Sequence, residues 1–598
     1  VVPDGVADVA GTVTVAGSWG GKVSRDVVLA PGPHAWANLS LPVAAGDVDL
    51  WAPPALLPAG TAPALYTLNV TFQPANQGAW AAVGTVRPVG FRTFALVTVD
   101  DTGDISHYVG AQGSGNLTMR FRVNGFSLFS RGANFIPTQV YESDVDGKSL
   151  VQVLESAAAA GANTIRVWGG GVFQREDFYD AADRLGLLIY HDVMYAQEGH
   201  GPTATAAQRD EIVYQVRRLS AHPSVVMWDG CNECDGTGIY ANFVMRAVAD
   251  ADPSRAVWPA SPSAGWDSGV DTLYSLPVGR DTLVPKRWKS STSSESLGWG
   301  PPHETHGPYQ HGTGFKTVND PTGVYEPFRA NVPAGLTPAH ACGEDKSGVY
   351  TSEFGCVSMS SVESMAPYFS DPSTFYLEHP LFAQRNYPCN NIIATYFGPR
   401  NASTRDVTAT PRALYQCQMG AALQMQSIIR GRRSKNIWGM LTWQLNEIWP
   451  TGGWGSLEYS SSAPGQVVGG RWKPLHHLYE QELWRDVLFI CGHDENEPEN
   501  ATLAEMQALC YLRVDTPLAA VPAGTSLAIS VLRTDVAQSS PQIVASWALG
   551  APFAGPATVQ RFCADGKSFV NATADPCVSW YDLLEQHGCN VNGTNCLV

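Results

Sequence analysis

The apolar and polar positions fall into three successive patterns along the chain. The first hundred residues carry short alternating stretches, such as residues 66–72, between turns rich in Pro and Gly, which is typical of a β-sandwich. From residue 131 continuous apolar runs alternate with helical stretches, and after residue 488 the strand-like alternation returns. We predict an immunoglobulin-like β-sandwich over residues 1–97, a barrel over 98–485, and a C-terminal β-rich, sandwich-like domain with disulfides over 486–598.

The middle pattern predicts eight strands, with helices at residues 149–160, at 176–185 and through 217–219. The strands are 132–137, 163–168, 187–193, a run ending at Glu233, 256–261, a weak sixth strand before His306, a run ending at Glu353, and 437–446. Such alternation favours a single parallel (β/α)8 TIM barrel. A hairpin at 95–125, turned by Asn124-Gly125, precedes it.

Two glutamates each follow an apolar, β-branched run that reads as a buried parallel strand. Glu233 closes residues 224–233, and Glu353 lies in residues 348–355. Active sites of TIM barrels lie at the C-terminal ends of the strands, and cleavage of a glycosidic bond needs two carboxylates in one cleft. Taken singly, either glutamate is more simply a surface residue. Charged and aromatic residues recur at other strand ends, however, and a structural role alone does not predict that regularity.

Composition excludes several classes of partner and points to the secretory pathway. The net charge of −17 and pI near 5.2 argue against nucleic acid and anionic membranes. No apolar run reaches the ~18 residues of a membrane span. The chain starts without Met or a signal peptide, so we expect it to be processed or truncated.

Cysteines and glycosylation sequons support an extracellular, lysosomal or vacuolar location. There are twelve cysteines, and we expect Cys563, Cys577, Cys589 and Cys596 to form disulfides in the C-terminal region. Seven Asn-X-Ser/Thr sequons predict glycosylation at Asn38, Asn69, Asn116, Asn401, Asn500, Asn571 and Asn592. Cys231-x-x-Cys234 and His303-Glu304-Thr305-His306 lack a second pair of ligands, so we expect neither a metal nor a cofactor.

Seven motifs together resemble glycoside hydrolase family 2, and within it the β-mannosidases, over roughly residues 45–485. They are Gly132-Ala133-Asn134-Phe135-Ile136-Pro137, Arg166-Val167-Trp168-Gly169-Gly170-Gly171, His222-Pro223-Ser224, Asn232-Glu233, Ser352-Glu353-Phe354-Gly355, the stretch from Trp443 to Pro450, and Arg471-Trp472-Lys473-Pro474-Leu475-His476. The resemblance implies a retaining double displacement with Glu233 as acid/base, Glu353 as nucleophile and Asn232 as donor to the sugar's 2-hydroxyl. Repulsion between the two carboxylates and partial burial should raise the pKa of Glu233.

Further residues near the predicted strand ends are candidates for binding the substrate. Trp168, Trp443 and Trp454 could stack on a pyranose ring, with core packing as the alternative. Arg166 and Asp192 stand at strand ends, where each either orients a carboxylate or touches sugar. His306 and Tyr309 belong to His306-Gly307-Pro308-Tyr309, which looks closer to exo-glucosaminidase and endo-mannosidase relatives than to β-mannosidases.

The chain departs from the family in ways that leave the sugar open. The family's N-terminal sugar-binding jelly roll has no counterpart, so a separate chain or cleaved segment carries it or the cleft is open. Cys231 stands where mannosidases usually carry Asn. We expect a β-linked oligosaccharide or glycoprotein glycan as substrate, and a β-mannoside first. The alternatives are an exo-β-glucosaminidase, an endo-β-mannosidase, or a non-catalytic glycan-binding glycoprotein, which the intact Asn232, Glu233 and Glu353 disfavour.

Overall fold

The structure is a computed structural model that places most of the barrel and parts of the regions on either side. It describes residues 8–31, 37–44, 46–76, 78, 81–97, 119–197, 201–234, 239–263, 304–310, 350–385, 389–398, 405–433, 437–459, 470–491, 507–515, 527–533, 542–549, 558–565, 577–589 and 596–597. Within these ranges no helix has the length and apolarity needed to cross a membrane.

The N-terminal region forms one four-stranded antiparallel sheet in the order β2-β1-β3-β4. Its strands are β1 (Val9–Gly17), β2 (Lys22–Leu29), β3 (Tyr66–Pro74) and β4 (Val83–Val89). In β3, half-buried Leu68 and Val70 alternate with exposed Thr67 and Asn69, because successive side chains of a strand point to opposite faces. The predicted strand at 66–72 is therefore present. The immunoglobulin-like sandwich and its boundary at residue 97 stay predictions.

A small antiparallel sheet closes the bottom of the barrel. It consists of β5 (Phe94–Val97), β6 (Arg120–Val123) and β7 (Phe126–Leu128). Asn124 and Gly125, with φ of 50° and 87°, form the predicted two-residue turn between β6 and β7. The apolar residues of this sheet share one core with the first residues of barrel strands, such as Leu188, Ala256 and Tyr350. The sheet therefore covers the N-terminal end of the barrel.

The barrel is an eight-stranded sheet in which all neighbouring strands among the described residues pair in parallel. In chain order the strands of this region are β8 (Ser130–Phe135), β9 (Thr164–Val167), β10 (Leu188–Asp192), β11 (Val225–Asp229), β12 (Ala256–Trp258), β13 (Glu304–Gln310), β14 (Tyr350–Cys356), the short rim strand β15 (Ser358–Met359), β16 (Gly439–Thr442) and its rim partner β17 (Gly452–Gly453). The order β12-β11-β10-β9-β8-β16-β14-β13 brings the last barrel strand beside the first, as in a TIM barrel.

Helices pack around the sheet. They are α1 (Gly147–Ala159), α2 (Glu176–Leu185), α3 (Ala206–Leu219), α4 (Arg246–Ala251), α5 (Val362–Met365), α6 (Pro380–Ala383), α7 (Asn390–Phe397), α8 (Thr410–Arg433) and α9 (Pro474–Leu478), with 3₁₀ turns at Pro54–Leu56, Glu142–Asp144, Ala366–Tyr368 and Pro372–Thr374 and π-helical turns at Tyr240–Met245 and Tyr479–Leu483. Apolar residues of α1 and α2, including Leu154 and Phe178, share the main core with Ile165, Val167 and Ile189 of the sheet.

Five predicted strand ends in the barrel are wrong. The fifth strand, predicted to reach residue 261, ends at Trp258, and the eighth, predicted to reach residue 446, ends at Thr442. The fourth strand ends at Asp229, four positions before Glu233, because the chain turns through Gly230 into a loop. The sixth strand contains His306 instead of ending before it, and the seventh continues past Glu353 to Cys356. Parallel pairing between β13 and β14, which sets His306 opposite Glu353, extends both strands. The predicted barrel itself is confirmed.

The C-terminal region forms two three-stranded antiparallel sheets, in the orders β18-β19-β22 and β21-β20-β23. The elements are β18 (Val487–Cys491), β19 (Leu509–Val514), β20 (Leu527–Arg533), β21 (Gln542–Leu549), β22 (Thr558–Cys563), α10 (Trp580–Glu585) and β23 (Cys596–Leu597). Leu512 and Phe562 of one sheet share a core with Ile529 of the other and with Trp580. The sandwich-like arrangement and the boundary at residue 486 stay predictions.

Buried charges connect this region to the barrel. Asp515, which follows β19, is paired with Arg433 at the end of α8, with Arg513, at 2.6 Å, and with Arg131 of β8, at 3.4 Å. The side chains of Arg433 and Asp515 are fully buried. Burial lowers the pKa of Arg433 to about 10, although the charge of Asp515 opposes that change.

Disulfides and exposed sequons agree with the predicted secretory features. Within the described ranges the structure contains the disulfides Cys231–Cys234, Cys389–Cys417, Cys491–Cys510 and Cys563–Cys577. Asn38 and Asn69 are exposed. The other five predicted glycosylation sites, Asn116, Asn401, Asn500, Asn571 and Asn592, lie outside the described residues.

Candidate active site

Arg166 organises the C-terminal end of the barrel. It lies in β9, is fully buried, and makes five hydrogen bonds to side chains. Two go to Asp192 at 3.0 and 2.6 Å, one to Asn134 at 2.9 Å, one to Glu353 at 2.5 Å and one to the amide oxygen of Asn232 at 2.8 Å. These contacts favour an orienting role for Arg166 and Asp192 over contact with the sugar, and that role stays a prediction.

Burial and charge act against each other in this cluster. Burial disfavours the charge of Arg166, but the carboxylates of Asp192 and Glu353 outweigh it and raise the pKa of the guanidinium. Burial raises the pKa of Asp192 to about 6, although Arg166 opposes this change. The planar guanidinium suits such a site, because its donors hold fixed directions toward several acceptors at once.

Glu353 is held by donors on both of its oxygens. Arg166 donates to Oε1, and the hydroxyl of Tyr309 donates to Oε2 at 2.7 Å. Burial and the charges of Glu353 and Glu233 raise the pKa of Tyr309 well above its usual value, so its hydroxyl keeps the proton that it donates. Glu353 is 3% exposed and belongs to a continuous strand. This carboxylate is therefore fixed in position by hydrogen bonds to both of its oxygens.

Glu233 lies in the loop after β11, in a less buried position. Its φ of 51° is left-handed, which is uncommon for a residue with a side chain, and the Cys231–Cys234 disulfide brackets it. Gln197 donates to Oε2 at 2.8 Å, and Nδ1 of His306 lies 3.0 Å from Oε1. Oxygens of Glu233 and Glu353 lie within 4.8 Å of each other, with His306 beside both.

The expected rise in the pKa of Glu233 is wrong for this arrangement. Burial does raise it, but the hydrogen bond and charge of His306, with the hydrogen bond from Gln197, outweigh burial and lower the pKa to about 2. Glu233 is thus an anion in the site as it stands. The proton for an acid role has to be held by Glu233 and His306 together.

The three tryptophans line the rim of the site. Trp168 and Trp443 meet edge to face, with their ring centroids 5.1 Å apart, and both are half-buried. Trp454 is also half-buried and lies against Gly355, where an added Cβ would come within 2.9 Å of its ring. Because none of the three is fully buried, each keeps part of an aromatic face for a sugar ring, and their role in binding stays a proposal.

Two groups of described side chains come close enough to share a metal ion. They are Asp180, Asp183 and His222, and Glu233, His306 and Glu353. In the first group His222 lies 2.7 Å from Asp183 and is hydrogen-bonded to it. In the second the oxygens of Glu353 already accept from Arg166 and Tyr309. Since protein donors already engage these atoms, we assign a metal to neither group.

Sequence patterns did not identify several residues that support the two glutamates. Asn134, inside a quoted motif, accepts from Arg166, and Gln197, just past β10, donates to Glu233. Glu304 had been considered only as part of a histidine pair, yet it is buried behind His306 and accepts from Ser261. A signal was available for Asn134, which lies near the C-terminal end of β8, where TIM-barrel sites are built. Gln197, five positions past β10, and Glu304, at the start of β13, have no such signal.

Comparison with known proteins agrees with this geometry. A family model for the TIM barrel domain of glycosyl hydrolases family 2 matches residues 153–275. β-Mannosidase of Mus musculus is 26% identical over 408 residues, which are 64% of this chain and 42% of that protein. β-Mannosidase B of Neosartorya fischeri is 28% identical over 352 residues, 57% of this chain and 38% of that protein. The chain spans about two fifths of the length of these curated relatives.

Solved structures show the same fold. β-D-Mannosidase from Dictyoglomus thermophilum superposes with a TM-score of 0.61 over 94% of this chain and 61% of that chain, at 19% identity. An exo-chitosanase of Amycolatopsis orientalis, in complex with PNP-β-D-glucosamine, superposes with a TM-score of 0.55 over 95% of this chain and 60% of that chain, at 14% identity. The resemblance to family 2 and its β-mannosidases, predicted from the motifs, is confirmed.

Proposed function

We propose that this chain is a retaining glycoside hydrolase that cleaves β-mannosidic bonds, with Glu353 as nucleophile and Glu233 as acid/base. The observation that carries the proposal is the pair of carboxylates within 4.8 Å of each other at the C-terminal end of a TIM barrel. Retaining enzymes hold their carboxyls ~5–5.5 Å apart, whereas inverting enzymes need ~6.5–9.5 Å to admit a water.

The different surroundings of the two carboxylates suit two roles. An oxygen of Glu353, whose carboxylate is held in place by Arg166 and Tyr309, attacks the anomeric carbon as the bond to the leaving oxygen breaks. The leaving oxygen takes the proton shared by Glu233 and His306. A water then gives its proton to Glu233 and its oxygen to the anomeric carbon, which releases Glu353.

The sugar is proposed from residues around the pair and from the relatives. Arg166 fixes the amide oxygen of Asn232, which turns the amide nitrogen to donate to a 2-hydroxyl. A 2-amino sugar would instead need an acidic partner at that place. The similarity to β-mannosidases favours a β-mannoside, within a β-linked oligosaccharide or glycan. The disulfides and exposed sequons support action in the secretory pathway, outside the cell or in a lysosome or vacuole.

The roles are tested with Glu353→Ala and Glu233→Ala on a series of aryl β-mannosides. Glu353→Ala should lose turnover of every substrate. Glu233→Ala should lower kcat/KM about 10²- to 10⁴-fold on poor leaving groups and little on dinitrophenyl mannoside, whose departure needs no protonation. Its kcat should fall on both substrates, because the second step loses its base. Equal losses of kcat/KM on the activated substrate would contradict the assignment.

The stereochemistry and the sugar are tested separately with the wild-type protein. Proton NMR of the first product should show the β-anomer, and appearance of the α-anomer first would mean inversion. A panel of nitrophenyl β-glycosides should show β-mannoside cleaved faster than β-glucosaminide or β-galactoside. Cleavage of glucosaminide without mannoside would overturn the sugar and leave the roles of the glutamates intact.

A further inference from the structure

A buried chain of hydrogen bonds runs behind the acid/base. Nε2 of His306 lies 3.0 Å from the hydroxyl of Ser261, which lies 2.8 Å from Oε1 of Glu304. His306, Ser261 and Glu304 are 7%, 0% and 1% exposed. The direction of each hydrogen bond in this series follows from counting the donors and acceptors.

Glu304 receives donors on both oxygens. The indole of Trp258 and the backbone N–H of Ser263 donate to Oε2 at 2.7 and 3.1 Å, and neither group can accept. Ser261 and Tyr190 approach Oε1, the latter at 3.0 Å. Four donors suit an ionised carboxylate.

The remaining question is which buried acid carries a proton, because Tyr190 also touches Asp229. Its hydroxyl lies 2.7 Å from Oδ2 of Asp229 and has one hydrogen to give. Burial, reinforced by the charge of Asp192, raises the pKa of Asp229 well above its usual range. Among the described residues Asp229 accepts from one group that cannot itself accept, the backbone N–H of Cys231 at 2.8 Å, whereas Glu304 accepts from two. The proton therefore fits on Asp229, which donates to Tyr190, and Tyr190 donates to Glu304. Glu304 is left ionised.

The charge of Glu304 then sets the proton position on His306. Ser261 has one hydroxyl hydrogen and gives it to Glu304, so its oxygen can only accept from His306, as it can from Ser352 at 3.0 Å. Nε2 of His306 must carry a hydrogen. Its Nδ1 faces Oε1 of Glu233, and that contact can be a hydrogen bond only if it contains one more proton, either on Nδ1 or on Glu233.

We propose that Glu304, acting through Ser261, fixes the tautomer of His306 so that the contact between His306 and Glu233 stores the proton delivered to the leaving oxygen. Glu304 is a positioning residue, and the inference rests on the acid/base role proposed for Glu233. With the opposite tautomer, neutral His306 would donate from Nδ1 to ionised Glu233, and no transferable proton would remain.

Other charged and titratable groups face the pair without carrying this proton. Arg166 and Glu353 neutralise each other at 2.5 Å, and Tyr309 donates to Glu353. Gln197 donates to the second oxygen of Glu233. The proton balance of the pair therefore depends on the side of His306 that faces Ser261.

Glu304→Gln tests the proposal, because only one orientation of the amide fits. Trp258 and Ser263 need an acceptor, so the amide oxygen takes the place of Oε2 and the NH₂ group takes that of Oε1. The NH₂ group then donates to Ser261, whose hydrogen can turn to Ser352 or to Nε2 of His306. We expect it to go to Nε2, because an imidazole nitrogen is a stronger acceptor than a hydroxyl oxygen, and the tautomer then reverses. We expect kcat/KM to fall about 10²- to 10⁴-fold on phenyl β-mannoside and little on dinitrophenyl β-mannoside, with the alkaline limb of the pH profile at lower pH.

Nitrogen-15 NMR of the histidine rings reads the tautomer directly. The chain has 14 histidines, so the His306 signals are assigned by their loss in His306→Gln. In the wild type Nε2 of His306 should be protonated, and in Glu304→Gln it should be unprotonated. Ser261→Ala removes only the hydroxyl that connects Glu304 to His306, so His306 should show a mixture of both tautomers. Ser261→Ala also tests the proposal if Glu304→Gln fails to fold.

The outcomes separate this proposal from the function on which it rests. An unprotonated Nε2 in wild type, an unchanged tautomer in Glu304→Gln, or equal losses on both mannosides would overturn the role of Glu304. If wild type cleaves no β-glycoside, the proposed function fails, while the NMR measurement still decides whether Glu304 sets the tautomer.

Discussion

Arg166→Lys is the sharpest test of how the nucleophile is positioned. Arg166 makes five hydrogen bonds in fixed directions, two of them to Asp192 and one each to Asn134, Glu353 and Asn232. Lysine keeps the positive charge but offers three donors from one nitrogen, so at least two of the five contacts are lost. The variant therefore distinguishes the effect of directed hydrogen bonds on activity from the effect of the positive charge.

The expected loss follows from those contacts. A hydrogen bond to a charged group contributes about 1.5–3 kcal/mol, so two lost contacts correspond to about 3–6 kcal/mol. At about 1.4 kcal/mol per tenfold change in rate, kcat/KM should fall about 10²- to 10⁴-fold. Both leaving-group classes should be affected equally, because Glu353 and Asn232 are needed whether or not the leaving oxygen requires a proton.

The assay is kcat/KM on phenyl and dinitrophenyl β-mannoside, with thermal unfolding measured in parallel. Arg433→Lys is the matched control, because Arg433 is also a fully buried arginine paired with a carboxylate, but it lies at the opposite end of the barrel. Both variants should lose stability, and only Arg166→Lys should lose activity. Activity of Arg166→Lys close to that of wild type would refute the positioning role.

Two further predictions concern acid stability and Tyr309. Burial lowers the pKa of His191 to about 3 and that of His476 to about 4, so the unfolded chain binds more protons as the pH falls below about 6.5. The urea midpoint should decline between about pH 6.5 and 4, less so in His191→Gln, and a constant midpoint would contradict this. Tyr309→Phe removes a hydrogen bond to Glu353 worth about 1.5–3 kcal/mol and should lower kcat/KM about 10- to 100-fold at unchanged fold, as checked by circular dichroism.

The sequence predicted the barrel because its strands are buried on both faces and therefore read as continuous apolar runs. It also identified Glu233 and Glu353, since each follows such a run. It placed the ends of these strands wrongly, because the end of β11 depends on a turn at Gly230 and the length of β14 on pairing with β13. The local pattern of apolar residues predicts neither the turn nor the pairing.

The roles of neighbouring side chains could not be predicted from local patterns. His306 contacts Glu233 across 73 positions in the chain, and Tyr309 contacts Glu353 across 44. Only the folded barrel brings these groups together. For the same reason the pKa of Glu233 was predicted in the wrong direction, since its shift depends on which side chains meet the carboxylate and not on its place at a strand end.

The pairing of Asp515 with Arg433 has a consequence for how the molecule comes apart. One partner follows a C-terminal strand and the other ends a barrel helix, and separating them would deprive Arg433 of its carboxylate partner, while Asp515 would keep Arg513 of that strand. Breaking such a pair costs about 3–5 kcal/mol, a large share of the stability of a typical domain. The C-terminal sheets are therefore not a removable appendage. We therefore expect the C-terminal sheets and the barrel to unfold in one cooperative transition, so that destabilising the C-terminal sheets also destabilises the catalytic end of the barrel.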